Sequence, residues 1–428
     1  MHKQLYEYLF SDEDARACKD IPEKACNDQP KNFFVHVASL SLTKTGDQFM
    51  DPKITLSWLL TTLGAPAVFL SLLVPIHNTF SLLPQMLVAY TIRRAPIRKF
   101  YWSAGSIGQG LALLLMCYVA LNFDGFAAGL GIILLLLFFS LSRGVCSVAQ
   151  KDVLGKTVAK TRRGRVSGLT ESIAGVFTIG LATYLLFSSQ RTVEVVVVIL
   201  FIAALLWLIA AAVFTLMTEE PGATAGGGNA IDAAVSQFAV LRKHGEFRKF
   251  VVVRSALLGS ALSAPYLVAL AQQDAGDALT VLGSLLLAAS LASFVSGTTW
   301  GGLADRSSAR CMTVAGVLAA AAGFAAIVFA GLGFANVTMF AACVFTLYLA
   351  HAGVRVGRKT HLVDMANENN RSTLVAVSNT MIGAMLLVFA ALGALVAQLH
   401  AYAGLAFFSA LALLGALLAS SLEPVQED

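Results

Sequence analysis

Long apolar runs recur along this chain from residue 31 to residue 420, and they constrain the fold more than any other feature. Many of them reach the roughly 20 residues that a helix needs to cross a bilayer. Lipid cannot hydrogen-bond a bare backbone, so a membrane chain folds either as helices or as a closed barrel. Continuous runs such as GLGIILLLLFFSL lack the alternation of barrel strands. The sequence therefore predicts an all-α polytopic membrane protein.

The composition agrees with this class, because 57% of the residues are hydrophobic and only 13% are charged. In soluble domains, charged residues make up about a quarter of the chain. The pattern of apolar runs and polar breaks predicts twelve transmembrane helices. The predicted spans are 33–60, 66–90, 101–121, 126–148, 168–188, 193–216, 250–271, 279–299, 311–331, 336–356, 374–397 and 402–421.

Positive residues concentrate in every second loop. One set of loops contains basic runs such as RRAPIRK and KTVAKTRRGR, whereas the opposite loops contain acids such as Asp124 and Glu194. Lys and Arg in short loops mark the cytoplasmic side of a membrane protein. We therefore predict cytoplasmic termini and a location in the bacterial inner membrane. Membrane lipids, rather than nucleic acid, are the expected partners of the basic loops.

Residues 1–30 mix charges of both signs and contain no apolar run. They do not resemble a secretory signal peptide, and we expect a cytoplasmic tail. Cys18 and Cys26 lie in this tail, where a reducing compartment argues against a disulfide. A metal pair is the weaker alternative, because the cysteines of zinc sites usually lie closer together in sequence. We expect neither a metal nor a cofactor.

The predicted spans divide into two sets of six. The segment TEEPGATAGGGNAIDAAVSQF, between the sixth and seventh spans, has the glycine-rich polar composition of a linker. RGRVSGLTESIAG aligns weakly with RSTLVAVSNTMIG, and such internal repeats are a feature of transporter folds. The predicted organisation is a tail (1–30), a first six-helix bundle (31–218), a linker (219–246), a second, pseudo-symmetric bundle (247–422) and a short tail (423–428).

The stretch WGGLADRSSAR, from Trp300 to Arg310, lies between the eighth and ninth spans. It resembles the G-x-L-A-D-R-x-G-R-R loop motif of the Major Facilitator Superfamily, whose members have twelve helices in two related halves. Ser308 replaces the glycine of the motif, and Ala309 replaces one of its basic residues. In the first half, YTIRRAPIRK has Arg94 at the position of the aspartate. The resemblance implies the fold of this superfamily and a transport function.

In that superfamily, these loops latch the two halves together on the cytoplasmic side. The resemblance implies the role of a cytoplasmic gate for Asp305, Arg306 and Arg310. The expected partners are the first turn of the fifth helix for the aspartate, and Asp364 or Glu368 for the arginines. An aspartate near the positive end of a helix dipole gains about 0.3–1 kcal/mol, which can bias two conformations. The alternative is that both arginines only orient the chain in the membrane.

Polar residues inside the first predicted span mark a candidate transport site. In NFFVHVASLSLTKTGDQFMDPKITLSWLL, they fall within an arc of roughly 140° on a helix. A charge at the centre of a membrane helix costs on the order of 2.5–3.5 kcal/mol, so such residues face a wet cavity or each other. The residues of this polar arc are His36, Ser41, Lys44, Asp47, Gln48 and Asp51.

Two charge relations within this helix are expected from their spacing. Lys44 and Asp47 lie three residues apart and can pair, whereas Asp47 and Asp51 lie four apart and repel. A carboxylate in this setting is suited to carry protons; a structural pair that pins helix packing is the alternative. The segment TKTGD also resembles the S-x-x-G-D stretch in the first helix of exporter-like superfamily members. Pro52 is expected to kink the helix.

Further intramembrane residues are candidates to complete a central cavity. A histidine is as often a satisfied core residue as a proton carrier. The sequence around Arg143 resembles in part the fourth-helix arginine motif of proton-coupled superfamily members, although the fifth helix lacks the glycine-proline pair of antiporters. Arg355 either joins the cavity or snorkels to the inner surface. The other candidates for the central cavity are His77, Arg143, Arg254, Tyr266 and His351.

Together these features predict a secondary active transporter that moves a small organic solute by alternating access, with protons as the coupling ion. Charges of both signs favour an ionic or zwitterionic solute, and the resemblance of the first helix favours export. We expect a monomer. The alternatives are a non-transporting scaffold or assembly factor and a lipid or lysolipid flippase. The sequence contains no Walker loop, H-E-x-x-H or G-x-S-x-G motif, which argues against an enzyme.

Overall fold

A computed structural model of the chain consists of α-helices joined by short connections. It describes residues 23–82, 92, 94–187, 193–222, 241, 244–276, 278–365, 371–400, 402–423 and 425. The helices of the first half are α1 (Glu23–Phe49), α2 (Thr55–Thr62), α3 (Ala67–Leu82), α4 (Lys99–Asn122), α5 (Gly125–Thr157), α6 (Lys160–Leu186) and α7 (Val193–Thr215). Those of the second half are α8 (Gly245–Ala256), α9 (Gly259–Ala275), α10 (Leu279–Arg306), α11 (Ser308–Gly331), α12 (Val337–Met365), α13 (Arg371–Ala397) and α14 (Ala403–Ala419).

These helices match the twelve predicted spans, and two spans are each built from a pair of helices. The first span comprises α1 and α2, which are separated at residues 50–54 around Pro52, as expected for a proline within a helix. The seventh comprises α8 and α9, separated at Leu257 and Leu258. By length and hydropathy, nine segments of the described chain can each cross a membrane, and α3 and α14 are shorter apolar helices. The chain is a multi-pass membrane protein.

The expectation that WGGLADRSSAR forms a loop is wrong for most of its length. α10 continues through Arg306 and α11 begins at Ser308, so that Ser307 alone connects the two helices. The Ser307 hydroxyl accepts a hydrogen bond from the Arg310 backbone N–H at 3.3 Å and caps α11. One serine cap is enough to end one helix and start the next, which the apolar pattern alone does not reveal.

The two halves have the same pattern of helix neighbours. In the first half, α4 packs on α5 and α7, as α11 packs on α12 and α14 in the second. Likewise α3 packs on α5 as α10 packs on α12. Between the halves, α3 packs on α13 and α10 packs on α6, which is again a symmetric pair. This is the pseudo-twofold arrangement of two six-helix bundles that the internal repeat predicts.

The helix ends that carry the basic loops are called the basic side below, and the other ends the opposite side. Near the opposite side, Gly283 of α10 lies against the end of α6. A Cβ at this glycine would lie 2.8 Å from the Leu186 backbone nitrogen and 2.9 Å from the Ala182 carbonyl oxygen. Because backbone atoms cannot move aside, only glycine permits this approach of the two halves.

Cys26 is disulfide-bonded, and its partner lies outside the described residues. The expectation that the tail cysteines are reduced is therefore wrong. That expectation considered only the redox state of the compartment, which does not decide whether two sulfurs of one segment can meet. Cys117, Cys146, Cys311 and Cys343 are free and buried within the helices.

Candidate functional site

A cavity of about 220 Å³ lies beside the break in the first span. Its charged lining is balanced, with three cations and three acids. His77 and Asn78 of α3 add polar groups without charge. The cavity thus brings together six of the candidate polar residues singled out in the sequence (Lys44, Asp47, Gln48, Asp51, His77, Arg143) and adds Lys53 and Glu171. Of the polar arc, His36 and Ser41 do not line it.

Two ion pairs join helices across the cavity. Asp47 of α1 pairs with Arg143 of α5, and their side chains are only 18% and 30% exposed. Lys44 of α1 pairs with Glu171 of α6 at 2.6 Å, in a more exposed position. The expected pair between Lys44 and Asp47 is therefore wrong. Each side chain instead meets an opposite charge on a neighbouring helix, because Arg143 and Glu171 would otherwise lie in the bundle without a counter-charge.

Asp51 has a structural contact of its own at the break in the first span. Its Oδ1 accepts hydrogen bonds from the backbone N–H groups of Lys53 at 2.7 Å and Ile54 at 3.2 Å. These contacts satisfy donors that Pro52 leaves without helical partners. Asp51 forms no ion pair with any other described residue. Its charge also interacts with that of Lys53 and with the Tyr348 side chain of α12.

Lys53 is a functional candidate that the sequence reasoning missed. Its Nζ lies 5.4 Å from the centre of the Tyr348 ring on α12, so that it crosses from the first half to the second. The helical arc used to find the polar stripe assumes one continuous helix, and the break at Pro52 turns Lys53 into the cavity. A lysine directly after an intramembrane proline was the available signal.

His36 is a core residue rather than a cavity residue, although its Nδ1 has no hydrogen-bond partner among the described residues. It is fully buried, and its Nε2 lies 2.9 Å from the Thr157 hydroxyl. Phe214 packs edge-on against its ring at 5.5 Å between centres. This contact ties the start of α1 to the end of α5, which is a packing role.

Two of the second-half candidates, Arg254 and His351, lie outside the cavity lining. Arg254 of α8 is 8% exposed and donates to the Ser378 hydroxyl at 2.5 Å and to the Asn379 side-chain oxygen at 2.9 Å, both on α13. His351 of α12 is half-buried, and its Nδ1 lies 3.0 Å from the Ser260 hydroxyl. Both residues therefore contact neutral partners within the second half.

Tyr266 belongs to the closed end of the molecule. Its hydroxyl forms a hydrogen bond with the Ser71 hydroxyl of α3, which joins the two halves. Nearby, Gln272 Nε2 donates to the Thr62 hydroxyl at 2.5 Å. Among the described residues, no hydrogen bond or ion pair joins the halves at the basic side. The structure is thus closed at the opposite side, and the charged cavity lies on the basic side of this closure.

The predicted gate residues lie at the basic side and face solvent. Asp305, Arg306 and Arg310 are exposed, and none of them forms an ion pair within the described part of the chain. Asp364, at the end of α12, is also exposed. The other expected partner, Glu368, lies outside the described residues. The latch therefore remains a prediction.

An acid that the sequence places in the linker instead holds the first half together. The Glu219 side chain is fully buried, and it accepts hydrogen bonds from the backbone N–H groups of Arg98 and Lys99 at the start of α4. It also pairs with Lys156 at 3.0 Å, while Arg98 pairs with Asp152. In the first half, a carboxylate from beyond α7 thus occupies the positive end of the α4 dipole.

Comparisons with known proteins identify the fold. Neither a family model nor a curated sequence matches this chain. Solved structures do match. A POT family transporter in complex with 5-aminolevulinic acid is similar at 11% identity and a TM-score of 0.70, over 94% of this chain and 98% of that one. The nucleoside transporter NupG is similar at 13% identity and a TM-score of 0.65, over 91% and 98%.

A third similar structure is a bacterial homolog of the human lysosomal transporter Spinster in an inward-facing, unoccupied conformation. It matches at 13% identity and a TM-score of 0.61, over 92% of this chain and 96% of that one. At such low identities the likeness establishes the fold alone. The chain therefore has the twelve-helix fold of Major Facilitator Superfamily transporters, as the motif at Trp300–Arg310 implies. This confirms the fold prediction, while the resemblance to exporters remains a prediction.

Proposed function

We propose that this protein is a secondary active transporter that moves a small ionic or zwitterionic organic solute by alternating access, driven by protons. The observation that carries the proposal is the Asp47–Arg143 ion pair, which lines a charged cavity formed by residues of the first bundle. Intramembrane charges of this kind are costly, and they mark solute or proton pathways. The fold supports the same class, although a fold by itself does not fix a substrate.

The proposed mechanism depends on the hydrogen bonds between the two halves, which can break and re-form. The halves meet at the opposite side through Ser71–Tyr266 and Thr62–Gln272, and the cavity lies beyond them toward the basic side. Rocking of the halves would break these contacts and bring the basic ends together. In that second state Asp305 would meet the start of α6, as the gate hypothesis requires, while Asp364 of the same half stays the candidate partner of Arg306 and Arg310.

Proton coupling is assigned to Asp47, with Asp51 as the second carboxylate. An ionised Asp47 holds Arg143, whereas a protonated Asp47 has no charge with which to retain it. Release of Arg143 would free both helices, α1 and α5, from this link and change the charge presented to the solute. Lys44 and Glu171, which also pair across the cavity, can respond to the same change.

The test is transport in proteoliposomes with an imposed pH gradient. A solute panel of amino acids, dipeptides, nucleosides and 5-aminolevulinic acid is screened with the wild-type protein, and accumulation should collapse when a protonophore removes the gradient. Asp47→Asn and Asp51→Asn are then compared for the transported solute. Accumulation that keeps its dependence on the gradient in the double variant would refute the assignment of the proton carriers.

The remaining assignments of this proposal concern the setting of the protein. We place it in the bacterial inner membrane as a monomer with cytoplasmic termini, because the basic loops all lie at one side. The two bundles at 31–218 and 247–422 would be the moving bodies, and 219–246 the linker between them. Cysteine labelling from each side of right-side-out vesicles, at Lys151 and at Asp124, tests the orientation.

A further inference from the structure

Within the described residues, the interior of the second half contains positive charge without a matching acid. Arg355 and Arg358 lie within α12, away from its ends, and Arg254 lies in the last turn of α8, inside the seventh span. The described acids of this half are all at or beyond helix ends. They are Glu246, Asp274, Asp305, Asp364 and Glu423.

None of the three arginines forms an ion pair within the described residues. Arg254 is 8% exposed, and its buried Nε has no hydrogen-bond partner in the described chain. Its other contacts, Ser378 and Asn379, are neutral. A buried donor without a partner costs about 1–3 kcal/mol, and more when the group is charged. Within the described residues, Arg254 is thus a buried cation without a carboxylate partner.

The two arginines of α12 share a face with residues that meet the first half. Tyr348, His351, Arg355 and Arg358 follow the spacing of one helical stripe. Lys53 of the first half lies over the Tyr348 ring, at 5.4 Å from its centre. Arg355 is exposed, and Arg358 is half-buried.

The cations of this face are close enough to act on one another. The charge on Lys53 interacts with the Asp51 carboxylate and with the charges on Arg355 and Arg358, and the charge on Arg254 interacts with that on Arg358. Like charges gathered in a membrane protein are unfavourable unless an anion neutralises them. Two guanidinium groups three residues apart present the planar donors that suit carboxylate and phosphate oxygens.

We propose that Arg355 and Arg358, with Lys53 facing them from the first half, bind an anionic carboxylate or phosphate group of the transported solute. This assignment deepens the proposed function. It rests on that function because it takes the bound anion to be part of the transported solute. Because Lys53 and the arginines belong to different halves, a bound anion links the two moving bodies. We commit to a soluble solute, rather than a lipid, as the source of the anion, since Lys53 lines the charged cavity.

The experiment is an equilibrium measurement on the purified full chain in neutral detergent, and it needs no transport. The unfolding midpoint is followed while sulfate or succinate replaces chloride at constant ionic strength. We expect both dianions to raise the wild-type midpoint, because a ligand that binds only the folded state stabilises it. In R355Q/R358Q the half-maximal concentration should rise at least about tenfold, the loss expected when charge-assisted contacts are removed.

A matched control removes two exposed cations elsewhere. K151Q/R248Q carries the same change of net charge and should keep the wild-type response to both anions, since Lys151 and Arg248 are exposed at the basic side. Without added anion, R355Q/R358Q should have a midpoint no lower than the wild type, because it loses repulsion and no ion pair. A merely structural role for the arginines would lower that midpoint. R355Q and R358Q are also measured as single variants, so that anion binding can still be tested if the double variant does not fold.

Equal responses of the wild type and R355Q/R358Q, or no response of the wild type, would overturn the proposal. Repeating the titration in phosphatidylcholine nanodiscs with and without phosphatidylglycerol identifies the source of the anion. Loss of the response only with phosphatidylglycerol would assign the site to a lipid headgroup and overturn the soluble source. Failure of gradient-driven transport with intact anion binding would instead refute the proposed function alone.

Discussion

The two halves of this molecule share one helix arrangement but treat interior charge in different ways. In the first half, Lys44 and Arg143 each pair with an acid on a neighbouring helix. In the second half, Arg254 meets only neutral side chains, and Arg355 and Arg358 have no ion pair among the described residues. Two first-half pairs thus balance charge across helices, whereas Lys53 and Asp51 of the same half form no ion pair among the described residues. In the second half, the proposed solute anion would supply the counter-charge.

The largest expected effect comes from the most deeply buried pair of the first half. Glu219→Gln removes the counter-charge of Lys156 and weakens the cap on α4. Breaking a buried ion pair from one side costs about 3–5 kcal/mol, and we expect about 3 kcal/mol here because Lys156 is partly exposed. Glu220→Gln is the matched control, since Glu220 pairs with the exposed Lys24 and should change stability by less than about 1 kcal/mol. Denaturant titration in detergent distinguishes the two; equal losses would show that burial does not govern these pairs.

Next in size is the effect of Asp47→Asn on coupling. This variant leaves Arg143 in the cavity without its acid. Because asparagine cannot gain or lose a proton, the pair can no longer alternate between a charged and a neutral partner for Arg143. We expect gradient-driven accumulation to fall at least about tenfold, which corresponds to ~1.4 kcal/mol. Counterflow at equal pH should persist, because it needs no net proton movement. Loss of counterflow together with accumulation would indicate that Asp47 supports the fold instead of the coupling.

A smaller effect is expected at the closure between the halves. Tyr266→Phe removes the hydrogen bond to Ser71 and should shift the conformational equilibrium by about 1 kcal/mol, roughly fivefold. In proteoliposomes, a cysteine that replaces the cavity residue Val74 should react about fivefold faster with an impermeant maleimide added from the opposite side. Tyr402→Phe is the control, because the Tyr402 hydroxyl forms no hydrogen bond across the halves among the described residues. An unchanged labelling rate in Tyr266→Phe would show that the hydrogen bond to Ser71 does not stabilise the closed side.

The smallest effect belongs to the exposed pair of the cavity. Lys44 and Glu171 are 40% and 55% exposed, and water screens their attraction. Glu171→Gln should therefore change the free energy of unfolding by no more than about 0.5 kcal/mol. The loss in free energy of unfolding is then compared between Glu171→Gln and Glu219→Gln. Because both variants remove one negative charge, a difference between them is due to exposure. A loss above about 2 kcal/mol in Glu171→Gln would mean that this pair is desolvated.

Hydropathy and loop charge were sufficient to predict the architecture, because the membrane imposes one solution on apolar runs of this length. The limits of the spans were harder to predict. α10 runs through the charged Asp305 and Arg306, since a helix that leaves the bilayer has no reason to end where apolar residues do. Only the Ser307 cap ends it, and a single serine is a weak signal among many.

Pairing within the cavity could not be predicted from spacing along one helix. Lys44 and Asp47 are well placed for each other, yet Glu171 and Arg143 lie on other helices and need counter-charges more urgently. Glu219 was hidden by the linker composition around it. Lys53 was hidden by the break at Pro52, which changes the direction of every side chain that follows. In each case, the packing of different helices determines which of the possible side-chain partners come together.

The central claim is that the halves rock about the charged cavity under control of the Asp47–Arg143 pair. Spin labels are placed at Ser167 of α6 and Lys359 of α12, which are both exposed at the basic side. Double electron–electron resonance then measures the distance between the two labels. The account predicts two distances whose populations change with pH in the wild type and stop changing in Asp47→Asn. A single distance at every pH, or a pH response that survives in Asp47→Asn, would contradict it.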